Sequence, residues 1–238
     1  MNRDNSINYR HEIKYRINGG TYHILRQRMK AVMKPDVHAG DGSGLYRVTS
    51  LYFDDVFRTA YRDKLNGVML RKKYRIRVYD LSPEVINLEE KVKHNNVGFK
   101  KSVPLTGEQY EKILAGDRSF LGGDGYTDTA GGDFYVSDRA AALCPAVIVD
   151  YIREPYICEA GNVRVTFDMK ISACVNSTDL FDPDCVFSTV MPDNDIILEV
   201  KYDRFIPHHI LQLLTGVSAM QESVSKFVLC SDRAGILK

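Results

Sequence analysis

The chain has 238 residues, 44% hydrophobic and 26% charged, a balance that supplies a sizeable core and argues against a disordered or fibrous protein. Lysine and arginine total 32 against 31 aspartate and glutamate, so net charge draws neither nucleic acid nor membrane, and any anion site has to be local. The five cysteines are odd in number without CxxC spacing, which argues against a structural zinc site and a disulfide framework and fits a reducing cytoplasm.

Met1 to Asn5 lack the apolar core of a signal peptide, and the longest apolar run, near Ala140 to Val149, is too short to span a bilayer. One domain covering residues 1–238 is the expectation at this length.

From Tyr9 to Ile17 a period of two predicts a strand, with Arg10, Glu12, Lys14 and Arg16 on one face and Tyr9, Ile13, Tyr15 and Ile17 on the other. Thr21 to Met33 reads as a helix, with Ile24, Leu25, Arg28 and Val32 at helical spacing after Gly19-Gly20. The run Gly40-Asp41-Gly42-Ser43-Gly44 lacks the Lys-Ser/Thr of a phosphate-binding P-loop and precedes a strand, which disfavours a Rossmann or P-loop fold. Leu45 to Phe53 is that strand. Leu70 to Tyr79 is another, putting Arg71, Lys73, Arg75 and Arg77 opposite Tyr74, Ile76 and Val78.

Val85 to Lys93 sets Glu89, Lys91 and Lys93 against Ile86, Leu88 and Val92. Thr106 to Ala115 starts with a cap and reads as a helix, and the glycines between Gly122 and Gly132 predict a flexible loop. Ala146 to Arg153 opposes Tyr151 and Arg153 to Ile148 and Ile152, and Val163 to Ile171 opposes Arg164, Thr166 and Asp168 to Val163, Val165 and Phe167. Ile196 to Tyr202 carries Glu199 and Lys201 against Leu198 and Val200, and a third helix is expected from Pro207 to Leu214, before Gly216.

Seven or eight strands in series predict an antiparallel barrel or sandwich. The charged parity fits two arrangements, a solvated sheet face or the polar lumen of a closed barrel. Arginine at Arg71, Arg75, Arg77, Arg153 and Arg164 suits bidentate phosphate recognition. Sparse carboxylates at Glu12, Glu89 and Glu199 among these bases suit a divalent cation bridging phosphate oxygens.

The strings Arg10-His11-Glu12-Ile13-Lys14-Tyr15, Thr49-Ser50-Leu51-Tyr52-Phe53-Asp54, Tyr74-Arg75-Ile76-Arg77, Leu88-Glu89-Glu90-Lys91, Tyr151-Ile152-Arg153, Arg164-Val165-Thr166-Phe167-Asp168, Leu198-Glu199-Val200-Lys201 and Ser225-Lys226-Phe227 occur in the order found in one family. From about Arg10 to Leu229 the chain resembles the VTC domain, the polyphosphate polymerase branch of the triphosphate tunnel metalloenzymes.

The resemblance implies an α+β fold that is predominantly antiparallel β, a closed β-barrel tunnel of about eight strands with helices packed outside. It implies transfer of the γ-phosphate of ATP to a growing polyphosphate chain with a divalent metal, Mn2+ or Mg2+, and release of ADP. By motif, Lys14, Arg75, Arg77, Lys91, Arg153, Arg164, Lys201 and Lys226 would contact phosphates, with Lys100 or Lys101 and Ser225 beside them. Glu199 would hold the metal, with Glu12 and Glu89 as further candidates, and Tyr52 would support the wall.

Phosphoryl transfer asks mainly for positioning and neutralised oxygens, so bases and a metal suffice without a protein nucleophile. His208-His209, beside Pro207 at a helix start, read as structural. Classical tunnel triphosphatases carry Glu-x-Glu-x-Lys on the first strand, and here the first position is Arg10, which favours one-metal polymerase character. Two alternatives stand beside it: a tunnel hydrolase acting on inorganic or nucleoside triphosphate, and a non-catalytic polyphosphate or inositol-phosphate binding module. The implied partners are ATP and inorganic polyphosphate, without nucleic acid or an intrinsic membrane segment but with room for a membrane-protein partner, and the chain is expected to be a free-standing catalytic domain.

Overall fold

The computed structural model describes residues 9–36, 44–95, 97–217 and 219–235, so Met1 to Asn5 and Gly40 to Ser43 lie outside the described residues. In chain order the elements are β1 (Arg10–Asn18), α1 (Gly19–Val32), β2 (Lys34–Pro35), β3 (Tyr46–Asp54), α2 (Thr59–Leu65), β4 (Leu70–Tyr79), β5 (Ser82–His94), β6 (Val97–Leu105) and α3 (Gly107–Leu114). There follow α4 (Ala130–Ala141), β7 (Cys144–Cys158), β8 (Val163–Cys174), β9 (Phe187–Thr189), β10 (Asp195–Tyr202), α5 (His208–Leu213), β11 (Met220–Gln221) and α6 (Lys226–Arg233). Among the described residues no helix is long and apolar enough to cross a membrane.

Eight strands close a ring in the order β7-β3-β4-β5-β6-β1-β10-β8, and β8 pairs back onto β7. Every pairing in it is antiparallel. Among the described residues the seam between β6 and β1 is short, joined at Arg10↔Gly98 and His11↔Val97.

Closure sends the apolar parity outward. Leu51, Tyr74, Ile76, Leu88 and Ile148 pack beneath α3 and α4 with Tyr110, Ile113 and Phe134. Val165, Phe167, Leu198 and Val200 pack beneath α1 and α5 with Leu25, Met29 and Ile210. Helices therefore cover the outer wall and leave the charged parity inside. A third apolar cluster lies inward: Phe227, Val228 and Cys230 of α6 meet Val147, Val149, Ile171 and Ile197.

Several expectations change. Asn18 accepts from Thr21 N at 2.9 Å and starts α1 two residues early, and its core stripe is Leu25 and Met29, while Ile24 and Val32 are exposed. The loop expected between Gly122 and Gly132 begins at the end of one 3-10 turn (Ser119–Gly122), contains a second (Asp124–Tyr126) and runs into the start of α4, capped by Thr129. Its glycines serve close approach, since a Cβ on Gly131 would meet Tyr126 at 2.6 Å and one on Gly132 the Tyr126 carbonyl at 2.5 Å.

The cysteine count argued against a disulfide framework, and the structure has one bond, with Cys144, Cys158 and Cys230 free. Antiparallel pairing of β8 and β9 at Cys174↔Phe187 folds the chain back, and Cys174 and Cys185 are bonded with their Cα atoms 6.0 Å apart.

Candidate active site

The inner face of the ring encloses a cavity of about 400 Å³ lined by eleven lysines and arginines against three glutamates. Strand β4 contributes Arg71, Lys73, Arg75 and Arg77, and β5 adds Lys91 and Lys93. Glu12 and Lys14 come from β1, Glu199 and Lys201 from β10, and Tyr151 and Arg153 from β7. The Ser225 hydroxyl caps α6 by accepting from Val228 N at 3.4 Å, which brings Lys226 to the cavity in the first turn. Phe227 beside it stacks on Tyr52 with ring centres 5.1 Å apart.

The deep bases are held by carboxylates. Glu199 lies 2.8 Å from Lys226 Nζ, 2.9 Å from Lys201 Nζ, 3.3 Å from Lys14 Nζ and 3.6 Å from Arg153. Asp168, fully buried, accepts from Arg153 Nε at 2.6 Å and Nη2 at 2.8 Å and pairs with Lys226 at 2.5 Å. Glu89 accepts from Arg75 Nε at 2.7 Å and from Lys100 Nζ at 2.5 Å, and Arg75 also donates to Tyr52 Oη at 2.8 Å. Arg77 is aimed by Ser50 Oγ at 3.1 Å.

Burial by itself would push these carboxyls up. Lys14, Lys201, Lys226 and Arg153 outweigh it at Glu199, Arg153 and Lys226 at Asp168, and Arg75, Arg77 and Lys100 at Glu89, so all three titrate below the usual carboxylate range. Groups depressed on folding contribute stability that is complete above their unfolded values and is lost as pH falls through the folded ones. The melting temperature should therefore fall steeply once pH drops below about 4, and a thermal scan that shows no such fall contradicts the pairing.

Lys14, Arg75, Arg77, Lys91, Arg153, Lys201, Ser225 and Lys226 all line the cavity, as do Glu12 and Glu199. Glu89 lies under Arg75 and Lys100, with its oxygens engaged by both. Two residues go elsewhere. Lys101 points to the outer face and pairs with Asp133 of α4 at 2.5 Å, because Lys100, its neighbour in the doublet, takes the inward parity. Arg164 shares the inner face but is held at its edge by Asp36 at 2.9 Å and the Tyr46 hydroxyl at 3.0 Å. His208 and His209 are exposed, outside the cavity.

Arg71, singled out in the sequence as a phosphate-recognising arginine, also lines the cavity, and so do Lys73 and Lys93, to which the sequence reading gives no role, as it gives none to Asp168. Lys64 enters the cavity from α2, which the sequence pattern did not disclose. Lys101→Ala should leave affinity for tripolyphosphate unchanged, whereas Lys91→Ala should weaken it about tenfold, the size of one charge-assisted bond. Calorimetric titration checks both.

For a divalent cation the residues fit in a limited way. Glu12 and Glu199 sit diagonally on neighbouring strands, across the pairs Glu12↔Lys201 and Lys14↔Glu199. Glu12 Oε1 is buried with Lys14 Nζ at 3.3 Å as its basic neighbour. Among the described residues no three His, Cys, Asp or Glu gather around a common point. Two carboxylates suit a hard cation that takes its other ligands from phosphate oxygens and water.

A model of the VTC domain matches residues 9–233. A search of curated proteins finds no match by sequence. Among solved structures, a Hippeastrum protein described as a candidate adenylyl cyclase with a dominant triphosphatase activity superimposes with a TM-score of 0.56 at 12% identity, covering 95% of this chain and 96% of that one. A Pyrococcus horikoshii protein gives 0.47 at 12% identity over 94% of this chain and 99% of that one. A candidate adenylate cyclase from Bacillus halodurans gives 0.44 at 11% over 82% of each chain. Of these three, the Hippeastrum protein superimposes well enough to bear on the fold, and it bears on the fold alone. With the family model spanning nearly all of its residues and a closed ring of strands around a base-lined cavity, the chain belongs to the VTC domain family and has the triphosphate-tunnel fold.

Proposed function

We propose that the protein is an ATP-dependent polyphosphate polymerase, working in the cytoplasm as one catalytic domain. A terminal oxygen of the polyphosphate chain attacks the γ-phosphorus of ATP, the bond to the β–γ bridging oxygen breaks, and ADP leaves. Arg75, Arg77, Arg153 and Lys226 would clamp the triphosphate, and Lys14, Lys91 and Lys201 would hold the acceptor phosphates. Such fixed charges act where negative charge shifts during transfer and need little reorganisation. A manganese or magnesium ion held by Glu199 and Glu12 would add charge neutralisation across the phosphate oxygens.

The observation carrying this reading is the state of the cavity's acids. Glu12 and Glu199 are each tied to two or more lysines, and both titrate below the usual range because those bases outweigh burial. Such carboxylates are poor bases for activating water, while a phosphate acceptor is already anionic and needs no base. Arg10, where a hydrolase would carry another glutamate, turns to Asp203 at 2.9 Å.

Incubation with ATP and manganese should give ADP and long polyphosphate, resolved by gel and phosphorus NMR. Orthophosphate as the sole phosphate product would establish hydrolysis instead, a reading favoured by the triphosphatase activity described for the Hippeastrum protein of like fold.

A further inference from the structure

Deep in the tunnel each buried base has an acid partner: Lys14 and Lys91 have Glu12, Arg75 has Glu89, Arg153 and Lys226 have Asp168, and Lys201 has Glu199. Lys73 does not. Among the described residues it forms no ion pair; its Nζ donates to Ser225 Oγ at 3.3 Å and lies 4.5 Å from the centre of the Phe227 ring.

Its surroundings are cationic on every side. Arg71 and Arg75 flank it on β4, Lys91 faces it directly across the β4–β5 pairing, and Lys93 follows on β5. Lys14 approaches from β1, Lys64 from α2 and Lys226 from α6. Of the acids lining the same cavity, Glu12 is bound by Lys91 at 2.8 Å and Lys14 at 3.3 Å, Glu199 by four bases, and Glu222, which among the described residues has no ion pair, acts through space on Arg16.

We infer that Lys73 couples anion binding to protonation in this tunnel: a phosphate ligand enters together with a proton that Lys73 takes up, so the protein grips polyphosphate more tightly as pH falls. The inference rests on reading the cavity as a polyphosphate tunnel. Its physical basis is that enclosure, and then the positive neighbours Lys14, Lys91, Lys64 and Arg71, hold the Lys73 ammonium well below the ordinary lysine value. An arriving phosphate supplies the missing negative charge at short range, where little water screens it, and restores the affinity for the proton. By linkage, a site that gains a proton on binding loses about tenfold in affinity for each pH unit through the range where that proton is exchanged. Arg75 and Arg77, always charged, carry no such dependence.

The test is calorimetric titration of metal-free sodium tripolyphosphate, with chelator present, into the whole protein and Lys73→Arg in buffers of different ionisation enthalpy. At pH values below the ordinary lysine value the wild type should take up more protons per ligand than Lys73→Arg, and its affinity should fall more steeply as pH rises. Protons exchanged by the ligand, or by Lys64, Lys93 and Lys201, are common to both proteins and cancel in the difference. Lys73→Met should lose the same proton uptake and also bind more weakly, and it carries the comparison if the arginine variant fails to fold. Equal proton uptake in wild type and variants, with binding intact, overturns the role of Lys73 alone. Failure of the wild type to bind tripolyphosphate at any pH overturns the tunnel reading itself, and this inference with it.

Discussion

Glu199→Gln is expected to lower ATP turnover by about 10²–10³-fold while tightening the grip on metal-free tripolyphosphate, the loss being that of one preorganised charge contact to the transferring group. The two effects have opposite signs for one reason. Glu199 holds Lys14, Lys201, Lys226 and Arg153 around a single carboxylate, so in the resting tunnel it competes with phosphate for all four. Glutamine keeps the volume and removes the charge, which frees the bases for the ligand and deprives a bound cation of its principal anchor. Steady-state turnover with manganese and calorimetry without metal read the two separately. Turnover and affinity falling together would mean that the site had merely collapsed, and would reject the metal-anchoring role.

The largest effect on stability is expected at Asp168. It receives two hydrogen bonds from Arg153 and one ion pair from Lys226 with none of its surface exposed, so Asp168→Asn leaves two buried cations short of their counter-charge. Breaking a buried pair in this way costs about 3–5 kcal/mol, which at this chain length corresponds to a fall of roughly 6–20 °C in melting temperature. Removing Arg153 as well should recover part of that loss, because the double variant no longer buries an unmatched guanidinium. By contrast Lys34→Ala, at the exposed pair with Glu159, should leave the melting temperature unchanged. Thermal melts of the four proteins check the series, and a mild Asp168→Asn phenotype would contradict the charge accounting of the tunnel.

Much of the barrel was readable before any fold was seen. Alternation marked six of the eight ring strands, because a half-buried strand repeats every two residues whatever its partners, and Leu45 to Phe53 gave a seventh, β3, which is buried on both faces and does not alternate. The one overlooked, β6, carries the doublet Lys100-Lys101 and Pro104, which interrupt the alternation. Helix α2 is only seven residues long and α6 eight, too short for a helical period to stand out. The glycines between Gly122 and Gly132 suggested flexibility, but Gly131 and Gly132 stand in the first turn of α4 because Tyr126 packs against the backbone there, a contact that no local pattern encodes.

The site divides along the same line. Parity placed Arg71, Lys73, Arg75 and Arg77 on one face, and ordered motifs singled out Glu199 and Lys226, since both depend only on residues near one another along the chain. Ring closure chose the inward direction for that face and sent Lys101 out to Asp133. Long-range register then matched nearly every deep base with an acid and left Lys73 with a serine and an aromatic ring. A period of two fixes which side chains travel together along a strand; their direction and their partners across the cavity depend on contacts between residues far apart in the chain.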